Sequence, residues 1–274
     1  MREDITLAAD QTIPARDWRG GELDCSRCEH AALRGLPGEQ GCQPGSACMQ
    51  DAYARRIDRF FRWHPNLSNA QLAHPYFEVR AIAARHADLF RLRALVNDPD
   101  ETVRMQVALR LPLEKLGRLM RDPHREVRIR VAQRLPVSKL TAMRDDPDYG
   151  VREWIARRLP EPMLSSMLDD PDRGVRARVA ERIEMPGLLR LAGDPDADVR
   201  RVVACRLPIG LLSLLACDPD WRVRWEVASR ALPPVLATLR DDDDEEVRAV
   251  ARERAAQQAR PPIAWRSYGG SAHG

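Results

Sequence analysis

Lysine is nearly missing from this 274-residue chain. Lys115 and Lys139 are the only two among 44 basic residues, and arginine supplies the rest. Aromatic residues make up only 5%. No apolar run approaches the ~20 residues needed to span a bilayer, so no membrane helix is expected. The chain also lacks a phosphate loop, a nucleophile elbow and a His-Glu metalloprotease helix, and its six histidines do not cluster. Those absences exclude the enzyme classes that depend on such motifs. The opening Met1-Arg2-Glu3-Asp4 is acidic and no apolar core follows it, which reads as a cytoplasmic protein without a leader. Structural disulfides are rare in that compartment. The net charge is only +3 with 31% charged residues, unlike a strongly basic polyanion binder.

What the chain does have is period. Pro75, Pro99, Pro123, Pro147, Pro171, Pro195 and Pro219 stand 24 residues apart, with Asp243 in the next slot. A Val-Arg pair keeps the same interval from Val79-Arg80 to Val247-Arg248. Eight units in register make a repeat array.

In the unit at Asp98, Asp98 reads as a helix cap and Pro99 as the first helical residue. Asp100 and Glu101 match the positive end of the helix dipole. Val103, Val107, Ala108 and Leu111 form one buried stripe, and Pro112 ends a helix of about three turns. Only residues 113–121 remain before the next cap, too few for a second α-helix. Leu113, Leu116 and Leu119 are spaced by three, as are Leu140 with Met143, Leu164 with Met167, Leu188 with Leu191, Leu212 with Leu215 and Leu236 with Leu239. That spacing predicts a 3₁₀ segment. A unit this small must stack on its neighbours, which predicts an all-α, elongated solenoid of alternating α- and 3₁₀-helices.

Ahead of the array, four cysteines fall within 24 residues: Cys25, Cys28, Cys42 and Cys48. The loop among them is rich in glycine and proline and too poor in apolar residues to form a core. It needs a bound centre to fold around. Four thiolates bind zinc or an iron–sulfur cluster, and intervals of two, thirteen and five residues leave both open, with incidental thiols as the third reading. His30 and His64 could replace a ligand, but with four thiols available each is read as a surface or packing residue. Residues 47–63 read as a helix carrying Tyr53, Ile57, Phe60 and Phe61, a hydrophobic cap over the open end of the array. Residues 1–24 read as a docking arm or a loose tail.

The 24-residue unit with its Asp-Pro, Val-Arg and Leu-Pro landmarks resembles the leucine-rich repeat variant family over residues 67–258. It departs from that pattern at Asp88, Glu184 and Leu232. The resemblance implies a right-handed superhelix of alternating α- and 3₁₀-helices in two layers. The cysteine-rich head resembles that of the family's iron–sulfur member. It implies a 4Fe–4S cluster, both metal and cofactor, on Cys25, Cys28, Cys42 and Cys48. The implied organisation is a cysteine-rich domain at 1–66, eight repeats at 67–258 and a tail at 259–274. No reaction is established for the family, whose setting points to bacteria that fix nitrogen.

Two arginine columns mark the array, one from Arg80 to Arg248 and one from Arg110 to Arg254. Asp100, Asp148, Asp172, Asp196, Asp220 and Asp244 precede the first column by four residues, a favourable helical pair. The columns read as an ion-pair ladder between stacked units, the alternative being a face for an acidic partner or phosphates. Trp154, Trp221 and Trp225 read as core or edge packing, Cys205 and Cys217 as free thiols, and the acidic run at 241–246 as a dipole-matched helix start. The leading function is a non-enzymatic iron–sulfur protein whose solenoid binds a protein partner, with electron transfer or redox sensing in the head. The alternatives are a nucleic-acid-binding solenoid that uses the arginines and a HEAT-like solenoid enzyme.

Overall fold

A computed structural model of the chain describes residues 13–258; the tail reading for 259–274 and the first half of the arm lie outside them. The chain forms two compact units, residues 1–155 and 156–274. Both are helical, and the described residues contain β-structure only as isolated bridges in the head.

In the first unit the helix Ala54–Trp63 is followed by helices at Phe77–His86, Glu101–Arg110 and Arg125–Arg134, and by the start of Tyr149–Arg158. Segments at Pro65–Ala73, Arg91–Leu95 and Leu113–Leu119 between them are 3₁₀. In the second unit the helices are Arg173–Ala180, Ala197–Arg206, Trp221–Arg230 and Glu245–Gln258, with 3₁₀ segments at Glu161–Met167 and Ile209–Leu215. The alternation is as expected, although Val137–Leu140, Gly187–Arg190 and Pro233–Leu239 close as α-turns. Within each unit neighbouring α-helices pack on one another, as Phe77–His86 does on Glu101–Arg110 and Trp221–Arg230 on Glu245–Gln258, and helices also pack on their 3₁₀ segments. Val103, Val107, Ala108, Leu111, Leu116 and Leu119 are all buried, while Leu113 is exposed. Leu113 at the head of its 3₁₀ segment is therefore not core, and the following pair is.

The helix cap lies two residues later than expected. Asp100, not Asp98, is the N-cap, and its carboxylate accepts from the Thr102 amide at 2.8 Å. Asp148, Asp172, Asp196, Asp220 and Asp244 do the same in their repeats. Asp98 is already engaged. It accepts the Asp100 amide at 3.0 Å and takes Nε and Nη2 of Arg80, both at 2.8 Å. The arginine column thus pairs not with the aspartate four residues before it but with one eighteen residues after it. Arg104–Asp122 and Arg128–Asp146 repeat this in the first unit, and Arg176–Asp194, Arg200–Asp218 and Arg224–Asp242 in the second. The remaining Nη1 turns back to two carbonyls of its own turn, as Arg104 does to Asp98 and Pro99.

The second column closes helix ends. Nη1 of Arg110 donates to the Ala84 and Ala87 carbonyls at 2.7 and 2.8 Å, and Nη1 of Arg206 to Ala180 and Ile183, both at 2.7 Å. These are terminal carbonyls that a helix leaves without internal partners. Burial lowers the pKa of Arg134, which donates to Ala108 and Leu111 in the same way. At the departure marked by Glu184 the helix stops early, at Ala180, and a Cβ on Gly187 would meet Ile183 Cδ1 at 2.4 Å.

Trp221 and Trp225 are 44% and 37% exposed, which removes the core reading and leaves the edge one; they lie one turn apart on their helix. Cys205 and Cys217 are exposed free thiols, as expected.

Removing one partner of a buried pair strands the other. Asp122→Ala should therefore cost about 3–5 kcal/mol of unfolding free energy. Arg173→Ala, which breaks only solvent-exposed contacts to Asp196 and Asp198, should cost no more than about 1 kcal/mol. Chemical denaturation of the two variants beside the parent chain measures both; equal losses would contradict the buried-rung assignment.

Candidate metal centre

The head is a set of short turns. Asp24 accepts the Ser26 amide at 2.9 Å and its hydroxyl at 2.6 Å, which folds the turn from Cys25 to Cys28. The backbone N–H of His30 donates to Cys28 Sγ at 3.4 Å. Gly35 and Gly38 adopt φ of +93° and +54°, conformations that side chains resist, and let the loop reverse. Cys42 returns beside Leu33 through its amide, at 3.2 Å from the Leu33 carbonyl. Gln43 and Ala47 exchange both backbone hydrogen bonds at 2.8 Å around Gly45. That tight reversal explains the wide interval between the last two cysteines: it brings Cys48 back beside Cys42.

The outcome is a cavity lined by Cys25, Cys28, Cys42 and Cys48, with His30 and Arg34 among its other walls. Cys205 and Cys217 take no part in it. Burial is the main cause that pushes the Cys28, Cys42 and Cys48 thiols up, Cys48 to about 12, and charge on neighbouring cysteines adds to each. Thiolates there need compensating positive charge, which an iron core supplies. Nε2 of His30 is buried without a hydrogen-bond partner, an orphan that cluster sulfur would satisfy. The residues present therefore fit an iron–sulfur cluster. Among the described residues no group of three or more His, Cys, Asp or Glu side chains is placed to hold a metal ion.

The walls are fixed from outside. Cys48 donates its amide to the Arg56 carbonyl at 3.2 Å, and Arg56 pairs with Asp51 at 3.0 Å with both side chains 1% exposed. Arg56 Nη2 also holds the Ile13 carbonyl at 2.6 Å. Trp18 stacks on Tyr76, ring centres 5.7 Å apart, so the described part of the arm is docked. The capping helix begins at Ala54 rather than at residue 47, because residues 47–52 are taken up by the turn at Gln43 and a bridge from Asp51 to Asp17. Ile57, Phe60 and Phe61 pack with Val79 and Ile82 of the first repeat, as a cap should. His64 Nε2 lies 2.9 Å from the Gly41 carbonyl, next to Cys42, so this histidine holds the loop. His30, read as a surface or packing residue, lies on the cavity wall; its position two after Cys28 was the signal for it.

The family described as "LRV protein FeS4 cluster" matches residues 15–70, and "Leucine rich repeat variant" matches 77–100 and 101–124. A solved structure titled "A leucine-rich repeat variant with a novel repetitive protein structural motif" is 43% identical. It covers 85% of this chain and 98% of its own, with a TM-score of 0.80. The chain belongs to the leucine-rich repeat variant family. A curated relative of Rhodobacter capsulatus, an uncharacterized 27.7 kDa protein in the nifB 3′ region, is 46% identical over 97 residues. That match spans 35% of this chain and 38% of the relative. This leucine-rich repeat variant is accordingly an iron–sulfur-associated repeat protein.

A Cβ on Gly41 would meet the Leu36 carbonyl oxygen at 2.3 Å, so the loop cannot seat Cys42 with any side chain there. Gly41→Ala should purify with iron cut by more than about half while its far-UV helical signal stays. Unchanged iron content would show that this close approach does not govern the site.

Proposed function

We propose that this chain is a non-enzymatic iron–sulfur protein in which Cys25, Cys28, Cys42 and Cys48 hold one 4Fe–4S cluster and the repeats dock a protein partner. The observation that carries this reading is the single cavity onto which all four thiols open. Bound there, such a cluster supplies one-electron exchange, whether for transfer to the docked partner or for redox sensing. The chain's own part is to hold the four sulfurs, to donate to them from His30 N–H and Gln50, and to cover the inner side of the site with the capping helix.

Two observations favour a protein partner over nucleic acid. The arginine columns donate to buried aspartates and helix carbonyls, so their guanidinium groups are not presented to phosphates. Trp221 and Trp225 stand exposed on one helix, the kind of residue enriched at protein interfaces. The relative in the nifB 3′ region supports a partner in nitrogen-fixation metabolism. Among the described residues no helix is long and apolar enough to cross a membrane, and a cytoplasmic setting suits a cluster on reduced thiols.

Anaerobically purified protein should be brown, with about four irons and four acid-labile sulfides per chain. Replacing any of the four head cysteines with alanine should lower that content sharply, and replacing Cys205 or Cys217 should not. Colourless protein with one zinc would overturn the cluster assignment. Binding to nucleic acid that weakens steeply with salt would overturn the preference for a protein partner.

A further inference from the structure

We infer that His30 donates a hydrogen bond from its imidazole to a sulfur of the cluster, and that this bond raises the cluster's reduction potential. The inference rests on the four-cysteine reading above and adds what sets the site's electron affinity.

His30 shares the cavity wall with all four cysteines. Its Nε2 is buried and finds no hydrogen-bond partner among the protein groups around it. The nearest acid is Glu29, whose Oε1 lies 3.8 Å away, beyond hydrogen-bond reach, and already accepts Gln71 Nε2 at 2.8 Å. His64, the other histidine nearby, spends its own Nε2 on the Gly41 carbonyl. Buried polar atoms in native proteins have partners, so an orphan against a cofactor cavity points to an acceptor supplied by the cofactor. Cysteinyl and inorganic sulfurs are such acceptors.

The ring is held rather than free. The residue's own amide is tied to Cys28 Sγ at 3.4 Å, and the imidazole lies against Phe60 with ring centres 5.4 Å apart. A donor so fixed favours the more negative, reduced form of a cluster, and hydrogen bonds to the sulfurs are among the factors that set its potential. Reduction adds one electron, breaks no bond and leaves the imidazole proton in place. Arg34 also borders the cavity, but it is exposed to solvent, which screens its charge.

The test uses the full chain purified anaerobically, with His30→Phe and His30→Gln beside the parent. Phenylalanine keeps the packing and removes the donor; glutamine restores an N–H. Iron and sulfide content of the parent alone reads whether the cluster assignment holds. With that met, His30→Phe should load fully, yet its reduction equilibrium should shift about tenfold toward the oxidised form. For one electron that is about 59 mV more negative. His30→Gln should recover most of the shift. Resonance Raman iron–sulfur bands should move between H₂O and D₂O in the parent and the glutamine variant, and less in the phenylalanine variant. An unchanged midpoint and an unchanged solvent-isotope shift in His30→Phe would overturn the inference. So would loss of iron in both variants, since His30 would then be holding the metal site together rather than tuning it.

Discussion

Within each compact unit one arginine fastens a repeat to the next. In the rung from Arg104 to Asp122, Nε and Nη2 take both carboxylate oxygens of the following unit at 2.7 and 3.0 Å, and Nη1 holds two carbonyls of its own turn. Desolvating such a pair is costly unless nearly every donor and acceptor is matched, and here the geometry matches them. Lysine cannot take the place, since an ammonium presents its three hydrogens from one point and cannot span a carboxylate on one side and a turn on the other. The second column makes the same demand at the helix ends, where Arg110 bridges two carbonyls. These two columns therefore have a physical reason to carry arginine rather than lysine.

This constraint also decides what the array does not offer. A row of arginines at a fixed interval looks in sequence like a phosphate-binding stripe. In the folded chain its charge is neutralised inside each step and its donors are spent. The ladder also ends by a specific device. His74 occupies the slot that aspartates fill in later repeats, and its Nδ1 accepts from the Tyr76 amide just as Asp98 accepts from Asp100. Where a carboxylate would have met an arginine, the Trp18 ring packs edge-on to His74 and stacks on Tyr76. The head replaces an ionic rung with aromatic surface, which lets a cysteine-rich domain close the open end of the array.

The parts legible in the sequence were those that local rules govern. The 24-residue period, the Leu-Pro stop at Leu111 and the paired leucines of the 3₁₀ turns follow from helix geometry alone. The partner of the Val-Arg arginine was not legible. The local rule prefers the aspartate four residues back, but stacking places another aspartate, eighteen residues ahead, in bidentate reach. That non-local claim on Asp98 also moved the helix cap to Asp100. The capping helix was read seven residues too long because its apolar spacing continues into residues that backbone bridges hold extended. At the site, the four cysteines stood out by density, whereas the orphaned His30 could not be seen without the cavity beside it.

The head and the first repeat are joined through polar groups as well as apolar ones, and this defines what the cysteine loop can influence. Gly41, next to Cys42, is held by His64 at the end of the capping helix. Cys48 is held by the Arg56 carbonyl within that helix, and Glu29, next to Cys28, is held by Gln71 of the first 3₁₀ segment. Three of the four cysteines are thus one residue or one hydrogen bond away from elements that cover the array. A shift in the loop acts on those elements directly, through hydrogen bonds of fixed length. Beyond them, within the first unit, it must pass from repeat to repeat across nearest-neighbour interfaces stiffened by the rungs from Arg80, Arg104 and Arg128. Rungs that resist deformation keep such a shift near the capping helix and the first repeats.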